Sequence, residues 1–449
     1  MDYPTILWKF ILPLGSFFTG RGFLEHLKEL ERSQWLRQDQ IEELQWKNLE
    51  LLVEHAYLNV PFYREQFQKL GLHPKDFNHF EDMAKFPILR KGDVRDNFRK
   101  MIATNTNTKN LILQSTGGST GEPMRFYNTR SKVDWNRAAL TRGFRWASIE
   151  IGEKGVQFVG SVLEAKGARK LAFKMKNLLI RRRYIPARNL SSERMRQMAS
   201  MLKRLRPTYI WSYTSVLHRF AEFLKEEEIN DICPKAIITS SDMLYPHYRE
   251  LIEKQFKCEA FDNYSSKEFA VSSECEHHNY HIYAENVFVE FVRNGSGVKK
   301  GMGNVIVTDL RNFGFPLIRY QVGDVGSVKF GTCPCGRGLP MMEGVEGRIS
   351  DFIITPAGEF ISGTNVTAWF RDLIGISVFQ VEQLERDYLV FNFVPNDKFT
   401  QEEIDLLVER VKRKYLDDEV EIETRLLKEI KPSLSGKRRP VIQRLCSEV

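Results

Sequence analysis

The chain's 449 residues contain no run of the roughly 20 apolar residues that a bilayer-spanning helix requires. The longest candidate, from Ile6 to Phe18, is broken by Lys9, Pro13 and Gly15. That stretch also makes a poor signal peptide, because Asp2 leads it and no clean small-residue cleavage site follows. The expectation is a cytoplasmic protein, soluble or held peripherally at the inner membrane face. Cysteine is sparse too, and six residues are too few for a disulfide scaffold. Internal repeats and low-complexity tracts are missing. With 42% hydrophobic and 28% charged residues, disordered, collagen-like and coiled-coil architectures are excluded. No recognisable nucleic-acid-binding module accompanies the net charge of +8, so nucleic acid is not the expected partner. The charge favours a nucleotide, a polyphosphate or a membrane surface.

What is present reads as an α/β protein of two or three domains. Residues 23–71 carry apolar side chains at helical spacing, among them Ile41, Leu44, Leu49, Leu52 and Val53. Helices are expected over 194–204 and 216–226, with a strand at 208–212 between them. Short apolar runs at 236–238, 260–261, 287–292, 305–307 and 317–320 read as further strands. After Gly347 the texture changes. Strands are expected at 352–355, 379–384, 388–393 and 420–426, with an amphipathic helix over 401–415. The fold class is therefore α/β, with a large mixed N-terminal domain (1–347) and a small α+β C-terminal domain (348–449), joined near 348–351.

The densest chemical signal is Ser115-Thr-Gly-Gly-Ser-Thr-Gly-Glu-Pro123, which follows Leu111-Ile-Leu113. Glycines let backbone N–H groups approach an anion without side-chain clash, and the hydroxyls add donors, which is the chemistry of a phosphate cradle. No lysine stands where a P-loop needs one, and an ordinary turn is the plainer alternative. Three later stretches bear on the choice. Asn263-Tyr-Ser-Ser-Lys-Glu268 ends in a carboxylate able to hold magnesium, or to cap a helix. Ile318-Arg-Tyr-Gln-Val-Gly-Asp324 places an aspartate just past an apolar strand, suited to ribose hydroxyls or to a turn. Pro432-Ser-Leu-Ser-Gly-Lys-Arg-Arg439 sets Lys437 behind a flexible glycine, as a catalytic or a merely solvated charge.

A second constellation pairs Glu274-Cys-Glu-His-His-Asn-Tyr-His281 with Thr332-Cys-Pro-Cys-Gly-Arg337. Zinc takes four nitrogen or sulfur ligands tetrahedrally, and two short loops are a normal way to supply them. The expected knuckle spans about 274–337, with Cys275, His281, Cys333 and Cys335 as ligands and His277 or His278 as substitutes for His281. The alternative is a set of ordinary cytosolic thiols beside a polar loop.

Together and in this order, these motifs resemble the adenylate-forming superfamily of acyl-CoA synthetases and adenylation domains. Within it, the chain is most similar to the phenylacetate–coenzyme A ligase branch and its CapK-like capsular-polysaccharide members. The resemblance runs from His55-Ala-Tyr-Leu-Asn-Val-Pro-Phe-Tyr63 through Lys437. It implies that Thr116, Gly118, Ser119, Thr120 and Gly121 cradle the ATP phosphates. Thr239-Ser240-Ser241-Asp242 and Asn263, Tyr264, Ser265 and Ser266 would line the adenine and acyl pockets, with Tyr264 against the base. It gives magnesium to Glu268, ribose to Asp324, ribose or phosphate to Arg348, and a hinge to Asp351. Lys437, on a mobile domain, would bridge the α-phosphate and the attacking carboxylate. Relatives with the same paired Cys/His elements bind zinc there, in a structural role. The chain departs from the pattern at Gly117, Glu122, Ser265 and Lys267, and the charges of Glu122 and Lys267 fall close to the phosphates.

The implied function is an ATP-dependent carboxylic-acid ligase that forms an acyl-adenylate. The acyl group would pass to coenzyme A, or to a sugar or amine in surface-polysaccharide biosynthesis. The contrasting class is a non-catalytic, zinc-stabilised, nucleotide-binding scaffold of a membrane-associated biosynthetic complex. A last feature bears on location. Between Lys166 and Arg188 stand nine Lys or Arg and no acid, interleaved with Leu171, Phe173, Leu178, Leu179 and Ile180. Such a segment suits an anionic membrane face, or a solvated face over a core helix. The stretch 3–18, with Trp8, Phe10, Phe17 and Phe18, would dip into the same interface or pack on the domain.

Overall fold

The computed structural model describes residues 2–115, 124–159, 168–187, 190–298, 300–348, 352–358, 360–362, 366, 369–370, 373–416, 420–430 and 441–445. The chain divides into two compact units. The first comprises Met1–Val289, Val307–Tyr320 and Lys329–Glu343; the second comprises Glu290–Ile306, Gln321–Val328 and Gly344–Val449.

In the first unit, β1 (Ile112–Ser115) and β2 (Arg125–Asn128) form an antiparallel pair flanking the Gly/Ser/Thr loop. Then come β3 (Gly155–Val159), β4 (Arg182–Pro186), β5 (Tyr209–Tyr213), β6 (Ala236–Ser240) and β7 (Ala260–Ser265). These five are parallel, in the order β4-β3-β5-β6-β7. β8 (Ala270–Glu274) and β9 (Tyr280–Ile282) continue the sheet in antiparallel fashion. The helices between the parallel strands form where the apolar stripe dictates. Ser191 caps Ser192–Leu205 by accepting from the Arg194 N–H, and Met195, Met198, Ala199 and Leu202 make the buried stripe. Leu217, Phe220, Ala221 and Leu224 do the same on Thr214–Glu226. Both stripes meet Val156, Phe158, Ile210 and Ile237 of the strands in one core.

Four strands contribute residues to both units: β10 (Val287–Arg293), β12 (Gly303–Asp309), β13 (Tyr320–Lys329) and β14 (Met341–Arg348); the short β11 (Ser296–Gly297) precedes β12. The start of β14 lies antiparallel to β9, with Met341 opposite His281. In the second unit β15 (Phe352–Ile354) pairs with β16 (Phe360–Ser362). A four-stranded sheet has the order β19 (Glu421–Leu426), β18 (Tyr388–Pro395), β17 (Ile376–Glu385), β20 (Val441–Gln443). The helix Gln401–Tyr415 buries Ile404, Leu407 and Val411 with Phe391 and Phe393 of that sheet. Thr400 caps it, and Glu402 and Glu403 in its first turn suit the helix dipole.

Two local expectations fail. Residues 317–319 are not a strand: Arg319 has φ +51°, and its buried guanidinium turns away to the carbonyls of Ala84 and Phe86. The strand begins at Tyr320, so Asp324 lies within β13 rather than beyond a strand, one residue after Gly323 at φ +92°. Nor does Glu268 cap a helix, because it sits in the turn between β7 and β8.

Candidate functional site

Parallel α/β sheets bind ligands outside the carboxyl ends of their strands. In the first unit those ends bring together Tyr213 of β5, Ser240 of β6, Ser241 just after it, and Asn263, Tyr264 and Ser265 of β7. Ser240 Oγ accepts from Trp211 Nε1 at 3.1 Å. Ser241 has φ +71°, a left-handed conformation that a serine adopts only under constraint. Asp242 Oδ2 accepts from the N–H and hydroxyl of Ser215, so this carboxylate caps the Thr214 helix. Asn263 donates to Ser273 Oγ at 2.6 Å and to the Ser272 carbonyl at 3.2 Å; its Oδ1 is buried with no partner among the described residues. Beneath it Ser273 and Tyr283 share a 2.5 Å hydrogen bond. The helix Arg130–Trp146 crosses this pair at Gly143, where a Cβ would stand 2.5 Å from Tyr283 Oη.

Glu268 is buried, and contacts at both ends of the Gly/Ser/Thr loop converge on its turn. At the start, Lys267 Nζ donates to the Ser115 carbonyl at 2.8 Å. At the finish, Tyr320 Oη lies 3.5 Å from Met124 Sδ and 3.4 Å from Glu268 Oε1. Lys132, wholly buried, donates to the Glu268 carbonyl at 2.5 Å and pairs with Asp309 at 2.6 Å. Its ammonium also stands 5.4 Å from the Phe269 ring centroid. The segment that leads into Tyr320 is held by the 55–63 motif: His55 Nε2 meets the Phe313 carbonyl at 2.8 Å, and Tyr63 Oη accepts from the Ile318 N–H at 3.0 Å. A buried carboxylate touched by a neutral hydroxyl suits a hard divalent cation, so Glu268 fits magnesium by its chemistry.

The Cys/His elements also converge. Donor atoms of Cys275, His281, Cys333 and Cys335 all lie within 4.8 Å of one another. Cys275 Sγ is 3.6 Å from Cys333 Sγ, and Cys335 Sγ is 3.3 Å from His281 Nε2. Tetrahedral zinc with bonds of about 2.3 Å to sulfur gives sulfur–sulfur edges of about 3.8 Å, so the set fits the ion in kind and size. His281 Nδ1 lies 3.3 Å from the Leu339 carbonyl, which can only accept; Nδ1 therefore carries the proton and Nε2 offers its lone pair. Burial pushes the His281 pKa down to about 4, keeping the ring neutral. Asn279 Nδ2 donates to Cys333 Sγ at 3.1 Å. The substitutes fall away. His278 stacks on Phe261 and faces Glu274 at 3.6 Å, and His277 reaches the cluster only through its backbone N–H on Cys275 Sγ.

Behind β7 lies an acid network. Asp262 accepts from Tyr280 Oη at 2.8 Å and from Thr239 Oγ1 at 2.5 Å. Burial, with the Glu274 carboxylate beside it, raises the Asp262 carboxyl to about 6. Glu274 pairs with Arg249 at 2.6 Å.

Of the other expected residues, Thr116, Gly118, Ser119, Thr120, Gly121, Asp351 and Lys437 lie outside the described residues, as does the side chain of Arg348. Asp324 belongs to the second unit. Sequence reasoning missed Lys132 and Tyr320 as supports of Glu268, and Asn279 as a partner of Cys333. Lys132 is 136 residues from Glu268, and no spacing rule connects them.

No family model matches the chain. It is 26% identical over 375 residues to a phenylacetate–coenzyme A ligase of Pseudomonas putida, covering 79% of this chain and 77% of that protein. It is 26% identical over 401 residues to the CapK protein of Staphylococcus aureus, covering 85% and 82%. Among solved structures, an open conformation of 2-hydroxyisobutyryl-CoA ligase, in complex with 2-HIB-AMP and CoA, superposes with a TM-score of 0.68. That match has 20% identity and covers 91% of this chain and 93% of the other. An ATP-bound MatB from Rhodopseudomonas palustris follows at a TM-score of 0.51 with 11% identity, over 75% and 68%.

Proposed function

We propose, for this member of the adenylate-forming superfamily in its phenylacetate–coenzyme A ligase and CapK-like branch, an ATP-dependent carboxylic-acid ligase activity in two half-reactions. A carboxylate oxygen attacks the α-phosphorus of ATP, pyrophosphate leaves, and an acyl-adenylate forms. An acceptor nucleophile then attacks the acyl carbon and AMP leaves. The observation that carries this reading is the convergence of both ends of the Gly/Ser/Thr loop on the turn that holds Glu268.

A carboxylate approaching a phosphate meets charge repulsion, so positive charge and backbone donors must converge on the transition state. Thr116, Gly118, Ser119, Thr120 and Gly121 would supply the donors, and Lys437 the charge at the α-phosphate. Magnesium, held by Glu268, would neutralise the polyphosphate. Ser240, Ser241 and Asn263 to Ser266 would line the adenine and acyl pockets, Asp324 would take the ribose, and Arg348 the ribose or phosphate. The domain of 348–449, turning at Asp351, would withdraw Lys437 for the second half-reaction. The Cys275, His281, Cys333 and Cys335 set would hold zinc structurally, since four protein ligands leave no open position. Lys267, which departs from the family pattern, anchors Ser115 and so keeps a use at the loop.

Coenzyme A is the acceptor that the phenylacetate–coenzyme A ligase relatives suggest. The CapK likeness suggests instead a sugar hydroxyl or amine, within surface-polysaccharide biosynthesis. The test is ATP–pyrophosphate exchange against aryl acids, fatty acids, amino acids and uronic acids. Exchange dependent on one acid class is expected, and that class then names the substrate. A ligand at 100 times its dissociation constant adds about 2.7 kcal/mol of stability. Absence of exchange with every acid, together with a melting temperature unmoved by MgATP, would replace this reading with the scaffold.

A further inference from the structure

Among the described residues, seven of the eighteen large exposed apolar side chains fall on two short segments of the first unit. One is the helical stretch 3–19, which is anchored along one side. Leu7 is fully buried, Tyr3 Oη donates to the Leu179 carbonyl at 2.7 Å, and Trp8 stacks on Phe23 with centroids 6.3 Å apart. The Arg145 guanidinium lies 4.4 Å from the Trp8 ring centroid. Gly152 permits the contact, since a Cβ there would stand 2.9 Å from Leu7 and 3.3 Å from the Pro4 backbone. The other side presents Ile6, Phe10 and Leu14, a stripe with a spacing of four residues, 38%, 59% and 60% exposed.

The second segment is the helix Ala168–Leu179, whose end the Tyr3 hydroxyl touches. Leu171, Met175, Leu178 and Leu179 stand on it at i, i+4, i+7 and i+8, and Leu178 is 78% exposed. A helix that turns such a stripe to solvent buries no core with it. Cations flank both stripes: Lys9, Lys174, Lys176 and Arg183 are exposed, and Arg181 lies 5.0 Å from the Tyr3 ring centroid. The nearby acids are engaged. Asp2 accepts from the Thr5 N–H, and Asp134 from the Arg21 guanidinium.

We propose that these two segments form one surface that lies on an anionic lipid bilayer, with the apolar stripes at the acyl boundary and the flanking lysines and arginines among the headgroups. Charge complementarity selects the occupant, because nine Lys or Arg and no acid between Lys166 and Arg188, interleaved with exposed leucines, suit phosphate headgroups over hydrocarbon. Geometry selects the mode. The 12-residue helix is about 18 Å long, short of the roughly 30 Å hydrocarbon core. No helix among the described residues is long and apolar enough to span. The surface therefore docks in the plane of the membrane, independently of the ligase chemistry.

The test is sedimentation of the full chain with phosphatidylcholine vesicles, with and without phosphatidylglycerol, at low and high salt. The expected result is binding that requires phosphatidylglycerol and is lost at high salt. Phe10→Ser with Leu178→Ser, and separately Lys174→Glu with Arg183→Glu, should each lower the bound fraction about tenfold or more, with unchanged melting temperatures. No binding to anionic vesicles overturns the proposal, as does equal binding to phosphatidylcholine alone. A dimer in sedimentation velocity that Leu178→Ser dissolves, without vesicle binding, would assign the surface to a second copy of the chain instead.

Discussion

On the proposed reading Lys437 and Glu268 would carry separable duties in the adenylating step, and substitution should separate them. A lysine that acts chiefly in the transition state contributes little to ground-state binding. Lys437→Ala should therefore lose pyrophosphate exchange while keeping MgATP-induced stabilisation; unchanged exchange would refute the assignment. At the Cys/His cluster, Cys333→Ser should lower both bound zinc and thermal stability, read by metal analysis and melting. A wild-type protein that carries no zinc would end that assignment. Asp262 offers a test of burial. Burial beside Glu274 raises its carboxyl from the ordinary aspartate value near 4 to about 6, so the folded state binds more protons between those values. Stability from this group therefore falls as pH rises from about 4 to about 6. The difference in unfolding free energy between wild type and Asp262→Asn should drift across that window, and a flat difference would contradict the burial argument.

At the scale of elements, the Lys132–Asp309 pair joins the helix Arg130–Trp146 to β12 and braces the turn at Glu268. Removing one partner of a buried pair strands the other, so Lys132→Met should cost about 3–5 kcal/mol in urea unfolding. Lys132→Met with Asp309→Leu should cost less than the sum of the two single changes. Elements of this kind show what a sequence can disclose. The helix Gln401–Tyr415 was legible because its apolar residues repeat at helical spacing, and the Cys/His cluster because its members come in two short stretches. β13 was misplaced because the left-handed Arg319 ends an apolar run that reads as strand. Lys132 was invisible because a buried lysine in a helix has no local signature, and its partners come from a distant strand and a distant turn.

At the scale of the whole molecule, the fold is that of the adenylate-forming ligases. The large unit supplies a parallel sheet whose carboxyl ends gather the residues implied for adenine and acyl recognition. The Cys/His cluster sits at the antiparallel end, where β9 meets β14. The order of motifs along the chain made the likeness to adenylate-forming ligases legible; the acid and its acceptor are set by side chains scattered through the fold, which no spacing exposes. On the proposed reading the loop and Glu268 together form the adenylating site. Its most direct test is acid-dependent ATP–pyrophosphate exchange by wild type and Glu268→Gln across a magnesium titration. Glu268→Gln should keep the wild-type melting temperature but lose exchange, or recover it only at far higher magnesium. Equal exchange by both proteins at every magnesium concentration would contradict it.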